Sequence, residues 1–419
     1  MRPNLKIDFV APPFAGHLFP QLQLAKYARS QGYDRLRFYS CPRMGAAVDR
    51  AGIDFLPLLA DKESEVFDIV LGGSKRIMSS LKEILAIVHR TLDLQLQLSN
   101  ELRGYWQKER PDLIVVDSHS PFTGVIADEL GIPWWSTIPS PAYIEITKGT
   151  PACLGGWMPP KTVWGRCRDA VGCRFVRLFK KTVFYLFRKK IQSLGFKSVY
   201  REDGTERMYS NDVMLGLGIP EFEFENEWPK AMRWIGPCPG DPSFLPPTPH
   251  FETEKTHILV SLGTQIPWAK ERAQKVFREV ARLLPEYIFH FTLGNDLKEP
   301  QIENNLHFFG YLPYTPESFR NYGVVVNHGG PGALYTAMKG AVPQLVWPQD
   351  FDQHDCAARV SFHGLGLRTC GKPQIIATKI KQLIENDSYR RRADEYRRIV
   401  ERYDAGRSFV ELLQEKFGS

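Results

Sequence analysis

The sequence predicts an α/β protein built from two halves, each a parallel sheet with helices on both faces. Short apolar runs alternate with helical stretches along both parts of the chain, which is the pattern of parallel βαβ units. The 419 residues are also too many for one core of ordinary size. A proline-rich segment, 237–252, separates the two series of runs and contains six prolines up to Pro249.

The first half, residues 1–236, contains five runs that we interpret as strands. They are Lys6–Val10, Leu36–Tyr39, Asp54–Leu56, Leu113–Val116 and Trp134–Ser136. The same alternation restarts in residues 253–387. Its strands are Ile258–Ser261, Ile288–Thr292, Leu306–Phe309, Gly323–Val326 and Leu345–Trp347. The arginine-rich end, 388–419, predicts a helix that packs by one face, back toward the first half.

Composition narrows the class of protein. Apolar residues make up 43% and charged residues 24%, as in globular proteins, and no apolar run approaches the roughly eighteen residues of a membrane span. Lys6 and Asp8 interrupt the N-terminus, so we expect no signal peptide. Seven cysteines without CxxC pairs predict a reducing, cytoplasmic setting without zinc. The net charge of +7 is small for this length, and no nucleic-acid motif is visible.

The most informative stretch is Asn327–Ala357, NHGGPGALYTAMKGAVPQLVWPQDFDQHDCA. An apolar run leads into a glycine-rich turn, then a short helix, a second apolar run and the pair Asp352–Gln353. Glycines let the backbone approach a ligand, and the N-terminus of the following helix favours an anion. His328 can add a hydrogen bond to a phosphate, and Asp352 and Gln353 can receive hydroxyl groups. The pattern predicts a site for a diphosphate and a sugar.

Five motifs in order across the chain carry a resemblance to a known family. They are GHLFP at Gly16–Pro20, PDLIVVD at Pro111–Asp117 with ADELGIP at Ala127–Pro133, SLGT at Ser261–Thr264, GYLP at Gly310–Pro313, and the glycine stretch. Together they resemble the nucleotide-sugar-dependent glycosyltransferases of family 1, in the branch that glycosylates small lipophilic molecules. The resemblance implies the GT-B fold, in which two Rossmann-like domains face each other across a cleft.

By this resemblance, His17 takes the proton from an acceptor hydroxyl and Asp117 orients its imidazole. Both residues follow strands of the first sheet, so they can reach the same rim. A histidine held by a carboxylate is suited to general-base catalysis. The alternatives are a polar loop residue for His17 and a helix cap for Asp117. His119 is a rival partner in the same loop.

The resemblance also implies a set of donor-binding residues and an inverting mechanism without metal or other cofactor. Asp350 and Asp352 form a formal Asp-x-Asp pattern, but the position resembles the sugar-binding loop of the family. The donor-binding set comprises Gly16, Ser261, Thr264, Tyr311, Leu312, His328, Gly330, Gly332, Ala333, Thr336, Asp352 and Gln353.

Two positions depart from the family pattern. Where many users of uridine diphosphate sugars have a glutamate for the ribose hydroxyls, this chain has Thr336, and a threonine expected after Gly332 is Ala333. A carboxylate accepts from both ribose hydroxyls and Thr does not match that. We therefore expect a thymidine diphosphate (dTDP) sugar first and a UDP-sugar second. The alternative is that Thr336 is only a tolerated helix residue.

The acceptor side is predicted to bind a small hydrophobic molecule, such as a secondary metabolite. Its candidate lining is Phe14, Phe67, Trp134, Tyr143 and Trp157. Residues 175–191 predict a basic amphipathic helix, which we interpret as a wall of the acceptor cleft, with peripheral membrane contact as the alternative. Three other functions remain open: a lipid glycosyltransferase at a membrane surface, a two-Rossmann nucleotide-sugar epimerase and a non-catalytic homologue.

Overall fold

A computed structural model describes residues 4–71, 81–146, 148–238, 246–263, 267–295, 297–350 and 352–418. It contains two seven-stranded sheets, one in each half of the chain. The prediction of two α/β units with parallel sheets is confirmed. All ten predicted strands are present, with bounds that differ from the prediction by at most a few residues.

The first sheet is parallel throughout and has the strand order β3-β2-β1-β4-β5-β6-β7. Its strands are β1 Ile7–Val10, β2 Leu36–Ser40, β3 Asp54–Pro57, β4 Leu113–Asp117, β5 Trp134–Ile138, β6 Val213–Gly216 and β7 Met232–Trp234. The helices of this half are α1 Ala15–Ser30, α2 Gly45–Arg50, α3 Glu63–Leu71, α4 Leu81–Lys108, α5 Thr123–Leu130, α6 Val163–Leu186 and α7 Arg188–Ser193.

The second sheet has the order β10-β11-β9-β8-β12-β13-β14, and only β10 runs antiparallel to its neighbour. Its strands are β8 His257–Ser261, β9 Ile288–Thr292, β10 Gln301–Glu303, β11 Leu306–Phe309, β12 Tyr322–Asn327, β13 Gln344–Val346 and β14 Gly366–Arg368. The helices are α8 Pro267–Leu283, α9 Pro316–Phe319, α10 Pro331–Lys339, α11 Gln353–Phe362, α12 Pro373–Glu385, α13 Asp387–Val400 and α14 Ala405–Phe417.

Both sheets are covered on their two faces, which is why their central strands are mainly apolar and are buried along their whole length. All residues of β1, β4 and β8 are buried. Between β7 and β8, the described residues 235–238 and 246–256 form neither helix nor strand. The middle of the predicted linker, 239–245, lies outside the described residues.

The C-terminal segment forms two helices, which corrects the prediction of one. The Asp404 side chain accepts a hydrogen bond from the Arg407 backbone N–H and so begins α14 after a short turn. Helix α13 packs in the second half, where Tyr396 and Val400 are buried. Helix α14 crosses to the first half, where Phe409 packs against Phe9.

The helix predicted over 175–191 is the second part of α6 followed by α7. Its apolar side chains Phe175, Leu178 and Phe179 are exposed, although we expected them to form a wall of the cleft. The face that packs inward is instead the small and polar one, with Asp169, Gly172 and Cys173 buried. Within the described part of the chain, no helix has the length and hydropathy to cross a bilayer.

Candidate active site

The carboxyl ends of β1 and β4 bring His17 and Asp117 together. The two strands are direct neighbours, and Asp117 is the last residue of β4. His17 lies in the first turn of α1, not in a loop as the sequence suggested, because the helix begins at Ala15 and continues through Pro20. The side chain of His17 is partly exposed and that of Asp117 is fully buried.

Hydrogen bonds fix the Asp117 carboxylate from several sides. Its Oδ1 lies 3.0 Å from His17 Nδ1 and accepts the His119 backbone N–H at 2.8 Å. Its Oδ2 accepts the Thr137 hydroxyl at 3.4 Å, and Gln21 donates to that hydroxyl. A carboxylate so placed keeps the proton of His17 on Nδ1 and leaves Nε2 as the basic atom.

The electrostatics of this pair suit a base that becomes charged during the reaction. Burial disfavours the imidazolium, but the charge and hydrogen bond of Asp117, and then the charge of Asp352, raise the pKa of His17. Burial likewise disfavours the charged form of Asp117 and raises its pKa, but His17 and His119 outweigh this effect, and the pKa of Asp117 is lowered. Loss of hydration, followed by the charge of His17, lowers the pKa of His119 to about 3.

His119 and Tyr143 extend the site along one wall. The His119 ring lies 4.1 Å from that of His17 and 5.6 Å from that of Tyr143. The Tyr143 hydroxyl bonds to the Ser118 side chain. Ligand atoms of His17, Asp117 and His119 all lie within 4.8 Å, so among the described residues this is the group that could hold a metal ion.

The second half of the chain contributes Asp352 to the same site. Ser140 hydrogen-bonds to its carboxylate, and Asp352 interacts electrostatically with His17. Burial raises the pKa of Asp352, while Ser140 and His17 oppose the rise. The site is therefore formed by residues from both halves of the chain, with the candidate base contributed by the first and a carboxylate by the second.

The glycine stretch turns sharply at the carboxyl end of β12. Gly329 has a φ of +99° and donates its N–H to the Asn327 side chain at 2.8 Å. Gly330 precedes the first turn of α10, and a side chain there would meet His328 at 2.4 Å. Space is open around the α-carbon of Gly332. Backbone N–H groups at this helix N-terminus can therefore approach an anion.

His328 and Lys270 stand beside that loop. Burial, followed by the charge of Lys270, lowers the pKa of His328 to about 4, against an opposing hydrogen bond with the Ser261 backbone. Lys270 Nζ donates to the Leu293 carbonyl at 2.7 Å. A Cβ placed on Gly294 would lie 2.4 Å from that Nζ atom. Burial alone lowers the pKa of Lys270 to about 8.

Lys270 was not identified from the sequence, where it is one polar residue of an amphipathic helix. It is only 6% exposed, lies in the first turn of α8 and has no carboxylate partner among the described residues. A cation is unfavourable both at a helix N-terminus and in a desolvated position. The combination indicates a group that gains a partner when an anion binds.

The remaining donor candidates differ in what they can offer. The Ser261 hydroxyl is buried and bonds with Thr292 and Tyr314. Leu312 has a buried side chain, so its backbone is the part that can bind a base, whereas Tyr311 is 39% exposed beyond β11. Gly16 and Ala333 lie in the first turns of α1 and α10. Thr264 lies outside the described residues.

Two donor predictions are narrowed. The Thr336 hydroxyl donates to the Gly332 carbonyl at 2.7 Å within its own helix, so its hydrogen is used there and only its oxygen lone pairs can accept a ribose hydroxyl. The side-chain oxygen of Gln353 accepts the backbone N–H groups of Gln349 and Asp350. This oxygen holds the loop before α11 and is not the predicted hydroxyl acceptor.

The acceptor candidates separate into two groups. Phe14 and Phe67 are in edge contact with ring centroids 6.1 Å apart, and Tyr143 lies beside His119. Trp157 is in the segment that packs on α6, with the Arg168 guanidinium over its ring. Trp134 is wrong as an acceptor contact, because it begins β5 at the opposite end of the sheet and is buried in the core.

Contacts between the halves were also missed by the sequence reasoning. Glu223 and Arg359 form an ion pair whose side chains are 2% and 4% exposed, with their atoms 2.5 Å apart. The Asp355 carboxylate accepts the Cys153 backbone N–H at 2.9 Å. Nothing in the local sequence distinguishes these residues from surface charges, because their burial arises only when the two halves meet.

Comparisons with known proteins agree with this architecture. Residues 274–401 match a family model described as "Erythromycin biosynthesis protein CIII-like, C-terminal domain". The chain is 24% identical over 374 residues to 4'-demethylrebeccamycin synthase of Lentzea aerocolonigenes, covering 85% of each. It is 26% identical over 286 residues to UDP-glycosyltransferase 2 of Phaeomoniella chlamydospora, covering 63% of this chain and 62% of that relative.

Solved structures share the fold. The glycotransferase of kitacinnamycin superposes with a TM-score of 0.74 at 21% identity and covers 98% of this chain and 99% of its own. The Streptomyces sp. SF2575 glycosyltransferase SsfS6, complexed with thymidine diphosphate, has a TM-score of 0.66 at 17% identity, with 98% and 99% covered.

Proposed function

We propose that the chain, which resembles the family 1 glycosyltransferases in sequence and shares the fold of solved glycosyltransferases, is an inverting O-glycosyltransferase. It moves a sugar from a nucleotide diphosphate to a hydroxyl of a small hydrophobic acceptor of the natural-product class. The observation that carries the proposal is the His17–Asp117 hydrogen bond at the cleft, on the side opposite Asp352.

His17 Nε2 accepts the proton of the acceptor hydroxyl as the oxygen forms its bond to the anomeric carbon. The bond from that carbon to the diphosphate breaks, and the electron pair leaves with the diphosphate. Attack from the side opposite the leaving group inverts the anomeric configuration. Asp117 stabilises the imidazolium that forms on His17, and the raised pKa of His17 supports that role. Asp352 is positioned to accept a hydroxyl of the sugar.

The departing diphosphate needs hydrogen bonds and positive charge. We propose that the backbone N–H groups at the start of α10 bind it together with His328 and Lys270, and the proximity of His328 to both Gly330 and Lys270 supports this. Preorganised donors of this kind stabilise developing charge without a metal. We therefore propose that transfer proceeds without a metal ion and without another cofactor.

The donor is proposed to be a dTDP-sugar, with a UDP-sugar as the alternative. Thr336 has a single hydroxyl oxygen, whose hydrogen is donated to Gly332, and Ala333 has no hydroxyl, so neither side chain matches a carboxylate that accepts from both ribose hydroxyls. A deoxyribose has no 2′-hydroxyl that would be left unsatisfied. The relative SsfS6, which shares the fold, was solved with thymidine diphosphate.

A product assay with His17→Ala tests the proposed base. With a dTDP-sugar and a panel of hydrophobic hydroxyl acceptors, the wild-type protein should form the glycoside, and the variant should be slower by roughly 10²–10⁴-fold. Binding of dTDP should be unchanged in the variant. Full transfer by a folded His17→Ala protein would reject the assignment, and sugar conversion without an acceptor would identify an epimerase instead.

A donor comparison tests the nucleotide. We expect a higher kcat/KM with dTDP-glucose than with UDP-glucose, and a larger rise in melting temperature with dTDP than with UDP or GDP, because a ligand stabilises the state it binds. A large kcat/KM margin in favour of the UDP-sugar would refute the dTDP proposal while leaving the transfer reaction intact.

A further inference from the structure

Helix α6 carries an exposed apolar stripe, which we call the α6 outer face. Its members are 58% to 84% exposed, far more than large apolar side chains in a folded core. They are Trp164, Val171, Phe175, Leu178, Phe179, Tyr185 and Leu186. Most of them recur every three or four residues, so they form one continuous stripe along the helix. Exposed apolar areas of this kind mark interaction surfaces.

The opposite face of α6 is fully engaged with the protein, which fixes the direction of the stripe. Thr150 donates to Asp169 at 2.9 Å, and a Cβ on Gly172 would meet Pro151 and Trp157. Lys180 pairs with Glu145 and Glu206. Because these contacts hold the inner face, the outer face cannot turn inward to cover itself.

The charge around the stripe is almost entirely positive. Residues 163–193 contain nine basic side chains and one acidic one, and that acid, Asp169, is buried beside Arg168. The basic residues are Arg166, Arg168, Arg174, Arg177, Lys180, Lys181, Arg188, Lys189 and Lys190. Among them, Arg174, Lys181, Arg188 and Lys189 are exposed along the sides of the stripe. The surface is therefore apolar at its centre and cationic at its edges.

A second copy of the chain does not suit this surface. A two-fold symmetric contact would bring two α6 outer faces together, and the same basic edges would then meet, with no exposed acid in residues 163–193 to neutralise them. An anionic lipid surface can bind both the apolar centre and the cationic edges of the α6 outer face. Apolar and aromatic side chains enter the interface, Trp and Tyr favour the level of the headgroups, and Lys and Arg contact lipid phosphates.

We propose that the α6 outer face docks the protein on the surface of an anionic lipid bilayer. The docked helix lies in the plane of the interface and does not cross the membrane. Membrane binding stands on the exposure and charge of α6 alone, and it does not depend on the proposed transfer reaction.

The position of α6 connects this surface to the proposed acceptor site. Lys180 on α6 pairs with Glu145, two residues after Tyr143, whose ring contacts His119. A lipophilic acceptor dissolved in the bilayer would therefore enter beside the catalytic side chains. This consequence rests on the proposed function, and it makes a membrane-dissolved lipid or lipophilic metabolite the preferred acceptor class.

Vesicle co-sedimentation tests the docking. The full-length protein is mixed with vesicles of phosphatidylcholine alone and of phosphatidylcholine with phosphatidylglycerol. We expect binding to the anionic vesicles that weakens as salt rises. The double variant Phe175→Ser/Phe179→Ser removes apolar contact, and Arg174→Glu/Lys189→Glu reverses charge. Each should lower the partition coefficient at least about tenfold, since each basic residue near an anionic surface contributes measurably.

Matched variants elsewhere on the surface serve as controls. Ile302→Ser removes an apolar side chain that is 68% exposed on β10, and Lys275→Glu/Arg320→Glu reverses two exposed charges in the second half. Both should bind like the wild type, and circular dichroism should show every variant folded. The proposal is overturned if wild-type protein does not bind anionic vesicles, or if the α6 variants bind as the controls do. It is also overturned if Phe175→Ser/Phe179→Ser merely separates a dimer in sedimentation velocity.

Transfer assays separate this proposal from the proposed function. An α6 variant that no longer binds vesicles but keeps full activity on a water-soluble acceptor supports both the docking surface and the proposed transfer reaction. Vesicle binding by a protein that transfers no sugar leaves the docking surface in place and removes only the proposed function.

Discussion

The Asp117 carboxylate shows how much one buried side chain decides in this site. It is enclosed by hydrogen bonds from His17, His119 and Thr137, so it can neither rotate nor meet water. A carboxylate held in this way sets the tautomer, the orientation and the basicity of the histidine together. The pH dependence of catalysis should therefore be controlled by this residue.

Asp117→Asn should change both the rate and its pH profile. His17 acts as a base only when neutral, so activity falls as pH drops through its pKa, which Asp117 raises above the ordinary value of 6.5. Without that charge the pKa falls, and the acidic limb of kcat/KM should move to lower pH while the maximum rate drops. Steady-state rates across pH measure this.

His119→Gln is the control for that profile. Because the pKa of His119 is about 3, its ring is already neutral in the working range and should contribute no limb. The acidic limb should remain where the wild type has it. An acidic limb that moves with His119→Gln and not with Asp117→Asn would transfer the role of partner to His119.

Lys270→Met should weaken binding of dTDP by about 10- to 100-fold, the effect of one charge-assisted hydrogen bond. The ligand-free variant should be as stable as the wild type or more so, since a desolvated ammonium at a helix N-terminus is lost. Isothermal titration with dTDP and dTMP measures the first effect and thermal unfolding the second. Lys275→Met, exposed on the same helix, is the matched control. Equal dTDP affinity in Lys270→Met and wild type would remove Lys270 from the donor site.

At the scale of elements, helix α14 packs into the hydrophobic core of the first half, together with strand β1 and helix α1. Phe409 is fully buried, with ring centroids 6.1 Å from Phe9 and 6.0 Å from Trp135. Helix α14 therefore packs as part of the first half, although the whole second half lies between the two in the sequence. Its loss would expose apolar surface on both α1 and β1.

Phe409→Ala should lower the free energy of unfolding by about 3–5 kcal/mol, because it removes a large buried ring and leaves a cavity. Urea unfolding followed by tryptophan fluorescence would measure the change, with Trp135 as a nearby reporter. Phe409→Leu, which keeps most of the volume, should cost clearly less. A cost below about 1 kcal/mol for the alanine variant would mean that α14 is only loosely attached.

Elements could be predicted from the sequence where they are long and apolar or carry a motif. The ten strands named from apolar runs are all present, whereas β6, β7, β10 and β14 were missed. Strands β7, β10 and β14 each have three residues and no continuous apolar run, so neither a period nor a run marks them in the sequence. The break between α13 and α14 was missed because the helical pattern continues on both sides of Asp404, and only its capping role marks the boundary.

The candidate site divides in the same way. His17, Asp117 and His328 follow strand ends within short motifs, so topology and spacing predict their neighbourhood. Lys270 and the Glu223–Arg359 pair could not be predicted, since their desolvation depends on packing between distant segments. Trp134 failed for a related reason: an aromatic side chain at a strand start and one at a strand end have the same local sequence signal.

At the scale of the whole molecule, the Glu223–Arg359 pair joins the two halves through a buried ionic contact. Burial raises the pKa of Glu223, and the charge and hydrogen bond of Arg359 oppose that rise. Removing one partner of a buried ion pair is much more destabilising than removing both, because the remaining charge is left desolvated. The pair thus makes the stability of the interface depend on both residues together.

Arg359→Met should lower the free energy of unfolding by about 3–5 kcal/mol at neutral pH. A carboxyl group whose pKa is raised in the folded protein adds stability at low pH and loses that contribution as pH rises through the folded pKa. The deficit of Arg359→Met should therefore shrink as pH falls and Glu223 takes up a proton. Denaturant unfolding at several pH values measures it.

The double variant Arg359→Met/Glu223→Gln completes the cycle. It should recover a substantial part of the stability that Arg359→Met loses, because no unpaired charge remains in the interface. If the double variant is as unstable as the sum of the two single variants, the two side chains act independently and the contact does not couple the halves.

The two passages of the chain between the halves touch each other. Gly236, with a φ of +93°, leads out of the first half, and a Cβ placed on it would lie 2.5 Å from the side chain of Tyr403, which precedes the return of α14. For protein engineering, the unit that must be exchanged as a whole consequently consists of two separate segments of the sequence. A chimaera that takes its acceptor module from this chain must combine the first half with helix α14, because grafting at the proline-rich segment alone would pair a foreign helix with Phe9 and Trp135.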